Sequence, residues 1–200
     1  PERHLRQHPH ELSGGMLQRV MIAGALTTDP ALLLCDEPTT AVDVTTQAEI
    51  IAILARLQRE RGMGVLFITH DLDLASAVCD RVYVMYAGRI VEQSTAEAVF
   101  DRPRHPYTAG LLASTPDILG EHVRLVPVPG SPLGLDVRPE GCAFASRCAY
   151  VDPARCAVGA PPLVAVDSAG ATHEAACVRT DEIAGILEHL GLTTQREGQS

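Results

Sequence analysis

Met16, Leu17, Val20, Met21 and Ile22 recur at helical spacing behind Ser13-Gly14-Gly15. The spacing predicts a helix over 14–27, with Ser13 as N-cap and Asp29-Pro30 as the break. Residues 31–35, ALLLC, form an unbroken apolar run of strand length, the pattern of a strand buried on both faces. Asp43 caps a long helix running to Arg61; Ile50, Ile51, Ile53, Leu54 and Leu57 form its apolar side and Gly62 ends it. GVLFIT, 64–69, reads as a second buried strand. A strand, a helix and a strand of these lengths imply a right-handed βαβ unit in a parallel sheet. Asp71 caps a short helix to Val78, and 81–93 reads as two strands turning at Ala87-Gly88, an edge hairpin.

The texture changes after Glu92. Short helices are expected over 96–100 and 107–114, ahead of a Pro/Gly-rich stretch, VPVPGSPLGLDVRPEG, that marks a boundary. Residues 180–190 suit one more helix, and the polar residues 193–200 suit disorder. The expected parts are an α/β portion at 1–92, a helical connector at 93–127, a Cys-rich extension at 128–179 and a short helix with a tail at 180–200. There is no internal repeat.

With 200 residues, 46% hydrophobic and 20% charged, the chain has room for one ordinary domain and an appendage. Its net charge of −9, without a local basic patch, speaks against nucleic-acid binding. The apolar runs are strand-sized, too short to cross a membrane as a helix, and no signal peptide is evident. Beginning at Pro1, just ahead of a helix N-terminus, the chain reads as the C-terminal portion of a longer protein.

Candidate chemistry gathers at predicted element ends. Asp36 and Glu37 follow the first strand, at the carboxyl edge where open α/β sheets bind ligands. Adjacent carboxylates repel unless their roles divide. Asp36 suits Mg²⁺, through water, and Glu37 suits a general base for an attacking water. His70 follows the second strand and reaches the same edge, placed to bond a γ-phosphate or that water. Ser13, Gly14 and Gly15 form a small-residue turn at a helix N-terminus, where unpaired N–H groups and the helix dipole favour a phosphate. Yet the chain has no G-x-x-x-x-G-K-[ST] loop to hold a nucleotide of its own.

In that order and spacing, these residues resemble the nucleotide-binding subunit of ABC transporters from its signature motif onward. Leu12-Ser13-Gly14-Gly15-Met16 matches the signature, commonly L-S-G-G-Q, and Met16 departs at the last position. Leu32 to Glu37 matches Walker B, Thr40 to Asp43 (TAVD) the D-loop, and His70 the switch histidine. The resemblance implies an α/β fold, the C-terminal part of a P-loop ABC ATPase with a parallel sheet, followed by a small irregular Cys-rich extension. It implies a head-to-tail pair in which Ser13, Gly14 and Gly15, with Asp43, serve nucleotide held by a partner's Walker A loop. ATP and Mg²⁺ are then the expected ligands, with Asp36 on the metal and Glu37 and His70 catalytic. The chain alone is expected not to hydrolyse ATP. A soluble ABC ATPase acting on nucleic acid, or a non-catalytic partner-binding fragment, are the rival readings.

HPYTAGLLAS (105–114) and PGSPLGL…PEGCAFASRCAY (129–150) resemble the C-terminal extension of oligopeptide and dipeptide importer ATPases, parts of which nickel importers share. This implies two membrane permeases, an extracytoplasmic solute-binding protein and a peripheral position on the cytoplasmic side of the inner membrane. Nickel or another small solute is the alternative cargo. His105 and Tyr107 suit a structural role at a helix start. Cys142, Cys148, Cys156 and Cys177 follow C-x5-C-x7-C-x20-C, not the closely spaced pairs usual for zinc. Wider spacings occur around iron–sulfur clusters, and the resemblance implies a [4Fe–4S] cluster in part of the family. Zn²⁺ and no metal stay open, and His173 is a weak fifth ligand candidate. Cys35 and Cys79 suit core packing.

Overall fold

The computed structural model describes residues 4–39, 42–115, 127–134, 136–166 and 173–189. Thr40 and Ala41 of the TAVD stretch and the tail at 193–200 lie outside the described residues. The chain forms two compact units, residues 1–74 and 75–200.

In the first unit, α1 (Gly14–Ala25) begins behind the Ser13 cap, whose side chain accepts from the Met16 N–H. Next come β1 (Leu32–Asp36), α2 (Val44–Arg61) and β2 (Gly64–Ile68). β1 and β2 pair in parallel, Leu33 opposite Val65 and Cys35 opposite Phe67. α2 starts at the Asp43 cap and stops at Gly62, which takes the left-handed conformation (φ 63°) a helix-ending glycine adopts without steric cost.

The core of this unit is Leu33, Cys35, Ile50, Leu54 and Met63, with Ile22 of α1, Leu26 at the C-cap of α1, and Val65 and Phe67 of β2 packed against it. Full burial of a side chain such as Ile50 or Leu54 contributes about 1.5–3 kcal/mol. The expectation that both strands are buried on both faces needs correction. Leu32, Leu34, Leu66 and Ile68 are 56%, 65%, 45% and 51% exposed. α1 and α2 both set their apolar residues against the Leu33–Cys35 face, and none of the described residues of this unit buries the other.

α3 (Leu72–Val78) follows, with the Asp71 carboxylate accepting from the Leu74 N–H at 2.9 Å. In the second unit β3 (Arg81–Tyr86) and β4 (Arg89–Thr95) form an antiparallel hairpin. Ala87 and Gly88 turn it at φ 47° and 76°, the two left-handed residues of a type I′ turn. The hairpin is not simply an edge. The extension contributes β5 (Val164–Ala165) and β6 (Glu174–Ala175), and the sheet order is β3-β4-β6-β5, so β4 is interior. Glu92, where the sequence texture changes, falls inside β4.

α4 (Ala96–Asp101) and α5 (Pro106–Ala113) follow as the periodicity predicts. The segments 127–134 and 136–141 contain neither helix nor strand. Beyond them lie the one-turn α6 (Pro153–Cys156) and the final α7 (Thr180–His189). The second unit is centred on aromatic residues. Phe144 packs its ring 5.2 Å from Tyr86, 5.4 Å from Tyr107 and 5.9 Å from His105, with Val91, Val128 and Leu133 beside them. Among the described residues no helix is long and apolar enough to cross a membrane.

Candidate functional site

Two sites emerge, one in each unit. The first is the carboxyl edge of the parallel strands. Glu37 continues the ladder one residue past β1, its N–H donating to the Ile68 carbonyl at 2.9 Å. It turns there at φ 44°, a conformation costing a residue with a side chain about 1–3 kcal/mol. At the end of β2, His70 Nδ1 lies 3.0 Å from Glu37 Oε1. With Nδ1–H donating to the carboxylate, the ring is oriented and its Nε2 edge remains for a third group. The side chains are 80% and 44% exposed, open to a ligand. Asp36, also exposed at the strand end, offers the hard oxygen that suits Mg²⁺.

Hydrogen bonds hold the neighbouring elements around this edge. Gln18 of α1 donates to the Pro38 carbonyl, and Arg19 pairs with Glu49 of α2. Gln47 donates to Asp71 at 3.3 Å, bracing the residue next to His70. The Asp43 carboxylate accepts from the Thr46 N–H at 2.9 Å and the Thr46 hydroxyl at 2.8 Å. These bonds hold its carboxyl below the ordinary aspartate range. Gly15 lies against the same threonine: a Cβ there would stand 2.6 Å from Thr46 Cγ2. The structure therefore brings Glu37 and His70 into contact, and links the start of α1 to the Asp43 cap through Thr46.

The second site is a small cavity, about 10 Å³, whose lining includes Cys142, Cys148, Cys156 and Cys177 together with His105, Phe144 and Ile183. Burial raises the Cys142 and Cys177 thiols above their usual range and pushes Cys148 up to about 11. The cysteine-bearing loops are tied together. Cys142 N–H donates to the Cys156 carbonyl at 2.8 Å. Arg155 reaches Glu182, at 2.6 Å, and the Val178 carbonyl. Arg179 donates to the Tyr150 carbonyl at 2.7 Å, and its N–H points to Cys177 Sγ at 3.4 Å. A larger cavity, about 140 Å³, lies beside the β3–β4 turn and shares His105, Cys142 and Phe144.

Among the described residues, no three His, Cys, Asp or Glu side chains converge tightly enough to hold a single metal ion. The four cysteines nevertheless line one and the same cavity. A lone Zn²⁺ would require every sulfur about 2.3 Å from a common point, whereas a cluster spreads its thiolates over several irons.

His173 is not at this cavity. Its Nε2 donates to buried Glu92 at 2.7 Å, and both side chains are almost wholly enclosed, which removes it as a fifth ligand. His105 and Tyr107 act at the helix start as expected: His105 caps α5, Nδ1 accepting from the Tyr107 N–H at 3.1 Å. Cys35 belongs to the core, whereas Cys79 follows α3 half-buried, outside the hydrophobic clusters of the described residues. Sequence reasoning missed Glu92, Arg155 and Arg179. Their partners lie far along the chain, and no local spacing announces them.

The description "ABC transporter" matches residues 1–40, and "Oligopeptide/dipeptide transporter, C-terminal region" matches residues 91–156. A putative peptide import ATP-binding protein of Brucella ovis is 50% identical over 89% of this chain and 53% of its own length. The oligopeptide transport ATP-binding protein OppD of Mycobacterium tuberculosis is 47% identical over 92% of this chain and 30% of its own. OppD of Haemophilus influenzae is 49% identical over 74% of this chain and 46% of its own. The chain therefore belongs to the ATP-binding proteins of ABC transporters, with the ABC domain present only in part at its N-terminal end. Within that family it falls in the peptide and oligopeptide import branch. It spans about half the length, 53%, of the Brucella relative.

Proposed function

We propose that this chain is part of the ATP-hydrolysing subunit of an oligopeptide or dipeptide importer, peripheral on the cytoplasmic face of the membrane. The observation that carries the reading is the Glu37–His70 contact at the ends of two parallel strands. Glu37 orients and deprotonates the attacking water, His70 holds that carboxylate and reaches the γ-phosphate, and Asp36 holds Mg²⁺ through water. Ser13, Gly14 and Gly15, at the N-terminus of α1, meet the γ-phosphate of nucleotide bound to a second ATPase subunit, and Asp43 lines the same junction. The chain contains no lysine, and therefore no P-loop lysine, so catalysis belongs to the complete protein in its head-to-tail pair. Two permeases and an extracytoplasmic solute-binding protein complete the assembly.

The test is ATP turnover and labelled-oligopeptide uptake by the complete assembled transporter, with and without Glu37→Gln. Loss of both with ATP binding retained supports the reading. Unchanged turnover overturns Glu37 as the base, and uptake of nickel without peptide overturns the cargo. Turnover by this chain alone that disappears in Glu37→Gln would overturn its dependence on the rest of the protein.

We further propose that Cys142, Cys148, Cys156 and Cys177 hold a [4Fe–4S] cluster, which staples an extension with little core of its own. The support is their shared cavity and the all-thiol donor set. Iron, acid-labile sulfide and zinc are measured in anaerobically purified protein beside Cys142→Ser. About four irons and four sulfides per chain, lost in the variant, support the cluster; one zinc, or no metal in folded protein, overturns it.

A further inference from the structure

Cys142, Cys148 and Cys156 follow one another along one stretch, but Cys177 arrives after a gap of 20 residues. Something outside that stretch has to fix it. We infer that Glu92, acting through His173, is the positioning residue for Cys177, an inference that rests on reading the four cysteines as one ligand set.

Glu92 sits in the interior strand β4 and is fully buried. Its Oε1 accepts from the Arg104 N–H at 2.6 Å and from His173 Nε2 at 2.7 Å, and its Oε2 accepts from the His105 N–H at 2.9 Å. Burying a carboxylate is costly unless donors surround it. These donors come from two separate segments, the approach to α5 and the start of β6. Both must therefore dock for the carboxylate to be satisfied.

The consequence reaches Cys177 by the shortest route. His173 leads directly into β6, where Ala175 pairs with Glu92 and Glu174 with Gln93. The Ala176 N–H then donates to the Val91 carbonyl at 2.8 Å, and the next residue is Cys177. On the other side of Glu92, His105 lines the cysteine cavity itself. One carboxylate thus locks the segment carrying the fourth thiol to the segment forming part of the cavity wall.

The experiment is residue-resolved alkylation of the full chain under native, reducing conditions, followed by mass spectrometry. It compares wild type with Glu92→Gln, His173→Ala and His173→Gln; the glutamine amide of the last can replace Nε2 as donor. Cys177 should react at least tenfold faster in His173→Ala and Glu92→Gln, with Cys35 as protected as before. His173→Gln should restore most of the protection. Unchanged Cys177 protection in His173→Ala overturns the inference. So does equal acceleration at Cys142, Cys148 and Cys177, because the pair would then hold the whole extension and not its fourth thiol. Metal content of the wild type is read separately. Absence of metal would overturn the cluster while leaving the alkylation result to decide the role of Glu92.

Discussion

His70 Nδ1 and Glu37 Oε1, on residues 33 positions apart, stand 3.0 Å from each other because parallel strands end at the same edge. On the proposed reading, the contact makes the two side chains one catalytic unit. In the complete transporter Glu37→Gln should lower ATP turnover about 10²–10⁴-fold, the range for loss of a general base, without abolishing nucleotide binding. His70→Ala added to Glu37→Gln should cost little more, since members of a unit are not additive. Steady-state hydrolysis by the four-member mutant cycle measures this. Independent, multiplicative losses would show that the contact has no catalytic meaning.

Gly15 is fixed by shape. A methyl group there would meet Thr46 Cγ2 at 2.6 Å, and a β-branched side chain on a helix has little freedom to turn aside. Gly15→Ala should therefore destabilise by about 1–3 kcal/mol, despite the better helix propensity of alanine. Thr46→Ser removes the obstructing methyl and keeps the hydroxyl that Asp43 accepts from. The double variant should recover most of the loss in urea denaturation. Equal losses in the single and double variants would rule out the clash.

Phe144 joins the aromatic centre of the second unit to the cysteine cavity, lining the cavity while contacting Tyr86, Tyr107 and His105. Phe144→Ala should cost about 3–5 kcal/mol, as for other buried aromatic truncations. It should also expose Cys142 and Cys148 to alkylation. Wild-type stability in chemical denaturation would show that the aromatic cluster does not hold this unit together.

Legibility followed the range of the interactions. Caps at Ser13, Asp43 and Asp71, the Gly62 stop and the Ala87-Gly88 turn depend on residues within a few positions, and the sequence displays them. The meeting of Glu37 and His70 was readable because parallel strands deliver their ends to one edge. Burial of β1 was misjudged because ALLLC records that apolar surface is available but does not say which faces the described elements cover. β6 was invisible: Glu174-Ala175 carries no strand pattern, and its partner β4 lies far back along the chain. Cysteine spacing told of four thiols, while their common cavity depends on Arg155 and Arg179, whose partners are set by the fold.

His105 supplies the pH dependence. Burial pushes its ring down to about 4 from an ordinary 6.5, so the folded chain keeps it neutral, with Nδ1 accepting from the Tyr107 N–H. The unfolded chain takes up the proton as pH falls through 6.5, and the folded chain resists until about pH 4. The stabilising contribution is therefore complete above pH 6.5, lost progressively between 6.5 and 4, and flat below. Across that window the loss amounts to about 3 kcal/mol at most. His105→Asn keeps an N-cap acceptor but does not titrate, so it should be less stable at neutral pH through lost packing and yet lose less on acidification. Urea denaturation of both proteins at pH 7.5, 6.0 and 5.0 isolates the difference in slope. If the asparagine variant falls as steeply as wild type between 6.0 and 5.0, another group takes up the proton, and His105 is a cap without a pH role.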